Sequence, residues 1–209
     1  MKLLYIYDPL CGWCFGFGPV MKKVYRNFKN EMDFDVISGG MITGDRVGPL
    51  SEVADYIGKA YKVVEKTTGV KFGKGFVDGS LKKGDVIFNS YPPSKALTVF
   101  KDLKPEKALQ FSKAIQDAIY VEGKDPSDEG VYLDLAIEFG ADREDFKILR
   151  ASPDYDVRTR EDFVFANRLG VTGFPAVFLE NQGKYHIVSR GYTEYGILEE
   201  RLNHLMESD

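Results

Sequence analysis

Cysteine, histidine and long apolar runs are all scarce in this chain of 209 residues. It contains two cysteines and two histidines, and its net charge at pH 7 is −4. Two cysteines are too few for the disulfide framework that stabilises small secreted proteins. Without an excess of positive charge, binding to nucleic acid through its phosphates is not expected, and no window approaches the roughly 18 apolar residues of a membrane-spanning helix. We therefore expect neither a nucleic acid nor a membrane as partner.

The first residues resemble the start of a secretory signal but do not complete one. The apolar run that begins at Leu3 ends after five residues, at Asp8-Pro9. A signal peptide carries about 7–15 apolar residues followed by a cleavage site. The rest of the chain has the composition of an ordinary globular protein, with 44% hydrophobic and 29% charged residues. We therefore expect a cytoplasmic protein.

The two cysteines, Cys11 and Cys14, are separated by one glycine and one tryptophan. A lone pair with this spacing has three interpretations: half of a zinc site, an inert or passively oxidised pair, and a redox-active dithiol. Zinc takes four ligands, and the two histidines, His186 and His204, lie far along the chain from Cys11. We therefore expect no metal, and the residues around the pair must decide between the other two interpretations.

The pair lies where a predicted strand is followed by a predicted helix. Residues 2–7 form a short apolar run rich in β-formers. Beyond Cys14, a helix would place Val20, Val24 and Phe28 on one face. At a helix N-terminus, free N–H groups and the helix dipole stabilise a thiolate, which is the nucleophilic form of cysteine. This location favours the redox-active dithiol.

The same location predicts different roles for the two cysteines. We expect Cys11 to be the exposed nucleophile, and Cys14, one helical turn further, to resolve the mixed disulfide. Asp8 stands just ahead of them, where we expect an exposed turn residue with no catalytic role; proton transfer is the alternative.

A second pattern lies near the C-terminus. Gly173-Phe174-Pro175 precedes an apolar run that ends at Leu179, and a turn over 181–184 leads to a second run over 185–189. These runs predict a β-hairpin. A final helix is predicted from about Thr193, which would be its N-cap. Taken alone, Pro175 would be an ordinary trans proline, because cis X–Pro bonds make up only about one in twenty.

The middle of the chain has helical periodicity throughout. About five helices are predicted with no strand between them, over 51–67, 92–103, 108–119, 125–140 (with Asp125 as cap) and 142–149 (opened by Asp142). The stretch 69–84 carries five glycines and predicts an irregular loop. We expect Phe72 and Phe76 to be buried beneath that loop rather than to line a substrate surface.

Taken together, these segments resemble the thioredoxin superfamily, and within it the DsbA family, in particular its cytoplasmic FrnE-like members. The matching segments are 8–14 (Asp-Pro-Leu-Cys-Gly-Trp-Cys), 39–41 (Gly-Gly-Met), 91–96 (Tyr-Pro-Pro-Ser-Lys-Ala), 120–124 (Tyr-Val-Glu-Gly-Lys) and 171–175 (Val-Thr-Gly-Phe-Pro). The resemblance implies an α/β, thioredoxin-like fold with a large all-helical insertion. Residues 1–44 and 151–209 would form the thioredoxin-like core, and residues 45–150 the insertion.

The resemblance also implies a set of site residues. Cys11 and Cys14 would be catalytic, and the Phe174–Pro175 peptide would be cis and would face them. Substrate would be bound by Gly12, Trp13, Phe174 and Pro175, with backbone hydrogen bonds to an extended segment. No cofactor is implied. One departure is Tyr5, which stands where several members of the superfamily carry a buried acid that manages the proton of the second cysteine.

The expected activity is thiol–disulfide exchange with protein disulfide or thiol substrates, and glutathione is a further candidate partner. Because the motif lacks histidine, we expect less stabilisation of the thiolate than in strongly oxidising relatives. In the cytosol such a dithiol would be mostly reduced, which favours reduction or exchange over disulfide donation. Two alternatives remain. One is a glutathione-dependent transferase or isomerase of the kappa-class type, which uses serine near the motif, and the other is a non-enzymatic, chaperone-like binding module.

Overall fold

The central strand β1 (Lys2–Tyr7) buries five of its six residues, because both faces of the sheet around it are covered. The computed structural model describes residues 1–207. In it, β1 pairs in parallel with β2 (Asp33–Ser38) and antiparallel with β5 (Ala176–Asn181). The predicted hairpin continues the sheet through β6 (Lys184–Arg190), so that the strand order is β2-β1-β5-β6.

The side chains of β1 pack alternately into two hydrophobic cores, one on each face of the sheet. Leu3, Tyr5 and Tyr7 join the larger core, which contains α1 (Gly12–Phe28) and most of the other helices. The side chains between them, Leu4 and Ile6, pack with Ala166 of α8 (Pro153–Arg168) on the opposite face. The last helix, α9 (Tyr195–Glu207), contacts α1 and β6. This layering places the start of α1 at the end of the central strand.

The segment between β2 and α8 is largely helical, as predicted. Its helices are α2 (Ala54–Thr68), α3 (Leu81–Lys83), α4 (Tyr91–Leu103), α5 (Ala108–Tyr120), α6 (Glu129–Glu138) and α7 (Arg143–Ala151). The expectation that no strand interrupts it is wrong, because β3 (Gly48–Pro49) and β4 (Ile87–Phe88) form a two-residue antiparallel pair. Strands of two residues are too short to produce a recognisable alternation of apolar and polar residues in the sequence. The boundaries at residues 45 and 150 stay a prediction.

The glycine-rich stretch is more regular than expected. Gly75–Ser80 forms a π-helical turn that continues into α3. Gly73 and Gly75 lie against the backbone after α5, where an added Cβ atom would come within 2.1 Å of the carbonyl oxygens of Val121 and Glu122. The glycines therefore permit close backbone packing rather than a free loop. Phe72 and Phe76 are buried, as predicted, although Phe72 also lines an apolar pocket beside Cys11.

Two helix starts differ from the sequence-based expectation. Asp128, not Asp125, caps α6, because its carboxylate accepts the backbone N–H of Gly130 at 2.9 Å. Asp125 instead stabilises the preceding turn by accepting the N–H of Ser127. The helix expected to begin at Asp142 is present as α7, with Asp142 as its N-cap. The last helix, α9, begins at Tyr195, two residues beyond Thr193. Within residues 1–207, none of the helices combines the length and apolar composition needed to cross a membrane.

Candidate active site

Cys11 is the N-cap residue of α1, as the strand-to-helix pattern predicted. Its backbone is extended, with φ −92° and ψ 110°, and its Sγ atom accepts the backbone N–H of Cys14 at 3.3 Å. The N–H of Cys11 itself donates to the carbonyl oxygen of Asp8 at 3.1 Å. Both cysteines are free thiols. Since the first N–H groups of a helix lack partners within it, this geometry presents donors to a negatively charged sulfur.

The two thiols differ in their surroundings, although both are buried. Cys14 has no exposed surface and Cys11 keeps 5%, so the expectation of an exposed Cys11 is wrong. The reason is that apolar side chains and the Phe174 carbonyl surround Cys11. Burial, followed by its contact with Cys11, raises the pKa of Cys14 well above the usual value, while a backbone hydrogen bond from Asp8 opposes this shift. Cys14 is therefore a thiol at neutral pH.

The Phe174–Pro175 segment lies directly against Cys11. The Sγ atom of Cys11 donates to the carbonyl oxygen of Phe174 at 3.6 Å, and the Phe174–Pro175 peptide bond is cis. The ring of Phe174 packs on Gly39, where an added Cβ atom would lie 1.9 Å from Cε1 of the ring. The absence of a side chain at Gly39 therefore allows the segment to approach the cysteines.

An apolar pocket of about 210 Å³ opens beside Cys11. One wall is α2 with the residues just before it, and the other is the loop carrying the cysteines. Val53 and Tyr56 at its edge are 40% and 73% exposed. Among the described residues, none that lines the pocket is charged. The helical periodicity over 51–67 did not indicate this role, because an apolar face that stays partly exposed leaves no separate signal in the sequence.

A polar pocket of about 330 Å³ is lined by Phe174 and by residues after β2 and in α8. Arg46, Thr43, Asn167 and Thr172 are among its lining residues. Phe174 therefore lines the polar pocket, and its carbonyl oxygen also contacts Cys11. The apolar pocket thus lies beside Cys11, and the polar pocket lies beside Phe174, the residue whose carbonyl oxygen contacts Cys11.

Asp8 is fully buried, and the expectation that it is exposed is wrong. Its carboxylate accepts the backbone N–H groups of Leu10 at 2.9 Å and Met41 at 2.7 Å, and the hydroxyl of Ser90 at 2.8 Å. Burial raises its pKa to about 6, although all three hydrogen bonds favour the ionised form. Two of these donors lie 33 and 82 residues away along the chain, which explains why the local sequence did not predict the burial.

Two neutral side chains lie behind the dithiol. The hydroxyl of Tyr5 donates to the carbonyl oxygen of Cys14 at 3.4 Å. The side-chain amide of Gln116, in α5, donates to the carbonyl oxygens of Asp8 at 3.2 Å and Cys11 at 3.4 Å. Burial and the nearby thiols raise the pKa of Tyr5 well above its usual value, so it remains a phenol. Sequence reasoning missed Gln116, because nothing local distinguishes it from other helical glutamines.

The remaining predicted residues lie in the same place. Gly12 begins α1, and an added Cβ atom there would meet the ring of Phe72 at 3.5 Å. Trp13 is partly exposed, lines the apolar pocket and has its ring 6.4 Å from that of Tyr192. Pro175 is buried at the start of β5. The structure thus brings both cysteines, Gly12, Trp13 and the Phe174–Pro175 segment together.

Residues 3–203 match the family model of the DSBA-like thioredoxin domain. The chain belongs to this family. The predicted DsbA-family membership and thioredoxin-like fold are therefore confirmed.

Two solved structures are similar over the full length. A Nitrosomonas europaea protein, provisionally named a protein disulfide isomerase, is 27% identical, with a TM-score of 0.89 and coverage of 99% of this chain and 98% of that one. The cytosolic disulfide reductase DsbM from Pseudomonas aeruginosa is 28% identical, with a TM-score of 0.83 and complete coverage of both chains. DsbM has also been solved with GSH, and that structure has a TM-score of 0.81. Thiol–disulfide oxidoreductases are thus among the structural relatives of this chain.

Curated relatives carry a different name. The ClpXP adapter protein SpxH from Halalkalibacterium halodurans is 24% identical over 155 residues, which cover 70% of this chain and 48% of the relative. SpxH from Bacillus subtilis is 25% identical over 151 residues, which cover 70% and 47%. The chain spans about half the length of the curated relatives it matches.

Proposed function

We propose that this chain catalyses thiol–disulfide exchange through Cys11 and Cys14, in the direction of disulfide reduction. The observation that carries the proposal is the geometry around Cys11. Its sulfur caps α1, receives the N–H of the buried Cys14 and contacts the carbonyl of Phe174. A nucleophilic thiolate needs donors on one side and an open approach on another. The helix N-terminus supplies the donors, and the apolar pocket supplies the approach.

The reaction requires two displacements. In the first, the Cys11 thiolate attacks one sulfur of the substrate disulfide, a mixed disulfide forms, and the other substrate sulfur leaves with the bonding electron pair. In the second, the Cys14 thiol gives up its proton and attacks Cys11. The Cys11–Cys14 disulfide forms, and the second substrate thiolate is released. The substrate thus gains two electrons, and two external thiols return the protein to the dithiol.

The reducing direction is supported by the charges around the pair. Gly12 and Trp13 between the cysteines are uncharged, so the motif itself adds no positive charge that would stabilise a thiolate. A dithiol whose thiolate is weakly stabilised is a better reductant, because strong oxidants of this kind gain their power from a stabilised reduced form. The similarity to the cytosolic reductase DsbM supports the same direction and a cytoplasmic location.

The substrates we propose are mixed disulfides between glutathione and proteins. The apolar pocket beside Cys11 accepts an apolar side chain next to the substrate cysteine, whereas Arg46 and Asn167 in the polar pocket suit the carboxylates and amides of glutathione. Gly12, Trp13, Phe174 and Pro175 border the path of the substrate chain. DsbM, which has been solved with GSH, supports glutathione as a partner.

A peptide assay tests this function. Two glutathionylated peptides, with phenylalanine or glutamate beside the cysteine, are incubated with the protein and glutathione, and the rate of peptide thiol release is measured. The phenylalanine peptide should react faster, and Cys11→Ser should abolish catalysis. Val53→Asp should lower the rate for the phenylalanine peptide by about ten-fold, which corresponds to about 1.4 kcal/mol. Val63→Asp, at a more exposed valine of α2 outside the pocket, is the matched control.

Non-enzymatic binding is a second candidate function, favoured by the similarity to SpxH, an adapter protein. A binding module would retain affinity for unfolded polypeptide in Cys11→Ser and Cys14→Ser and would not accelerate peptide release. The kappa-class alternative is disfavoured because a cysteine, and not a serine, caps α1. Tight glutathione binding without turnover of any disulfide would favour that alternative instead.

A further inference from the structure

The buried carboxylate of Asp8 has no described role in the exchange reaction, yet it lies among the residues that form the dithiol site. It connects three segments: the loop with the cysteines through Leu10, the segment after β2 through Met41, and the residue before α4 through Ser90. Its own carbonyl oxygen receives the N–H of Cys11 at 3.1 Å. Asp8 is thus part of the scaffold that holds Cys11 in place.

The negative charge of Asp8 is not neutralised by a cation in contact with it. None of the ion pairs within residues 1–207 includes Asp8. Arg46 favours its ionisation, but the side chain of Arg46 is exposed and makes no hydrogen bond to it among the described contacts. Because the carboxylate is buried, its charge is poorly screened and acts strongly on neighbouring groups.

The charge of Asp8 interacts with Arg46 and with three acidic groups. Burial is the largest cause of the raised pKa values of Cys14, Tyr7 and Tyr120, from α1, β1 and α5 respectively, and the negative charge of Asp8 raises each of them further. The oxygens of Asp8 are directed to Leu10, Met41 and Ser90 and make no hydrogen bond with either sulfur. The carboxylate therefore acts on Cys14 through its electric field, and not by taking a proton from the sulfur.

We propose that the ionised side chain of Asp8 opposes thiolate formation at the dithiol and thereby makes the Cys11–Cys14 pair a stronger reductant. Asp8 is a positioning residue in this role, because it acts through the sulfurs and does not touch the substrate. The physical reason is that a negative charge near the site destabilises the thiolate form of the reduced protein and leaves the uncharged disulfide unaffected. The inference rests on the proposed exchange function.

The effect has a defined dependence on pH. With a pKa of about 6, Asp8 is ionised above this pH and neutral below it. The reducing contribution is therefore present at about pH 8 and disappears as the pH falls to about 5, where wild type and a variant without the charge should behave alike. A loss of packing or of a hydrogen bond would instead have a similar effect at both pH values.

The test is the equilibrium between the protein and a glutathione redox buffer. Wild type and Asp8→Asn are equilibrated without oxygen at several pH values between about 5 and 8, and the reduced fraction is measured after an acid quench. At about pH 8, the equilibrium constant for reduction of the protein by glutathione should be about ten-fold larger in Asp8→Asn, the equivalent of one pKa unit. The ratio between the two proteins should approach one at about pH 5.

A pair of serine variants retains the charge of Asp8 and tests whether the ionisation of Asp8 sets the pH dependence. The hydroxyl of Ser90 lowers the pKa of Asp8, so Ser90→Ala should shift the pH at which the reducing contribution appears to a higher value. Ser94 is the matched control, since it is also fully buried, lies one turn further in α4, and its hydroxyl has no hydrogen-bond partner among the described residues. Ser94→Ala should leave the pH dependence unchanged. These variants retain Asp8 and decide the question even where Asp8→Asn does not fold.

The outcomes separate the two claims. A pH-dependent ratio together with a shift in Ser90→Ala alone supports the inference. A ratio that is the same at every pH, or equal shifts in both serine variants, overturns the inference and leaves the exchange function standing. If wild type does not exchange with glutathione at any pH, the proposed function is overturned, and the inference with it.

Discussion

The sulfur of Cys11 lies 3.6 Å from the carbonyl oxygen of Phe174, which is 163 residues further along the chain. This contact joins the N-terminal dithiol and the start of β5 into one surface, because β1 and β5 are neighbours in the sheet. The Phe174–Pro175 segment therefore borders Cys11 on one side, while the apolar pocket opens beside it. The fold thus brings the dithiol and the Phe174–Pro175 segment together at this contact.

The two thiols should react with alkylating agents at very different rates. Cys11 keeps some exposed surface and opens to the apolar pocket, whereas Cys14 is fully buried with a raised pKa. In native protein treated with iodoacetamide at neutral pH, Cys11 should be modified at least about ten-fold faster than Cys14. Peptide mass spectrometry over time measures both rates. Equal rates, or faster labelling of Cys14, would contradict the assignment of their roles.

Gly39→Ala should displace the Phe174–Pro175 segment. The new Cβ atom would lie 1.9 Å from the ring of Phe174, so the ring or the strand must move. We expect a loss of about 1–3 kcal/mol in the free energy of unfolding, typical of overpacking, and at least a ten-fold loss of peptide reduction.

Gly173→Ala is the control for this substitution. Gly173 stands immediately before Phe174, and an added Cβ atom there would meet nothing within 4 Å. Urea unfolding and the peptide assay should therefore give values close to wild type for Gly173→Ala. Similar losses in the two variants would show that the contact between Gly39 and Phe174 is not what positions the segment.

Asp162→Asn should stabilise the protein above neutral pH. In Asp162 of α8, Oδ2 is buried without a hydrogen-bond partner among the described residues, and burial with the charge of Asp35 raises its pKa to about 6 despite Lys101. Because the folded pKa is above the ordinary value, ionisation above pH 6 costs stability that is regained below about pH 4. The variant should gain about 1–2 kcal/mol at pH 8 and nothing near pH 4.

Thermal or urea unfolding at several pH values measures this gain. Glu161→Gln is the control, since Glu161 is an exposed neighbour on the same helix and loses the same charge. Equal gains in the free energy of unfolding of the two variants would show that the effect arises from the change in net charge. A gain in Asp162→Asn that does not change with pH would contradict the assigned cause.

Local signals predicted those features that depend on local interactions. The apolar run before Cys11, the helix after it and the hairpin that follows Pro175 each depend on residues close in sequence, and all are present. Asp142 was likewise identifiable as the start of a helix, because an N-cap acts on the next three residues. Two aspartates precede α6 within four positions, and composition alone did not show that Asp128 is the cap.

The features that the sequence did not predict depend on distant contacts. Asp8 is buried because Met41 and Ser90 donate to it from two other segments. Gln116 reaches the dithiol loop only because α5 packs against α1. The apolar pocket arises because residues of α2 that pack against the core, such as Ile57 and Val64, also lie beside Cys11. In each case the residue type was visible in the sequence, and its neighbours were not.

The most direct test of the exchange mechanism is to map the mixed disulfide. Cys14→Ser and Cys11→Ser are each reacted with the glutathionylated phenylalanine peptide, quenched in acid and analysed by mass spectrometry. Cys14→Ser should accumulate an adduct on Cys11, because the resolving thiol is absent, whereas Cys11→Ser should remain unmodified over the same time since Cys14 is fully buried. An adduct on Cys14 at a comparable rate, or no adduct on Cys11, would contradict a mechanism that begins at Cys11.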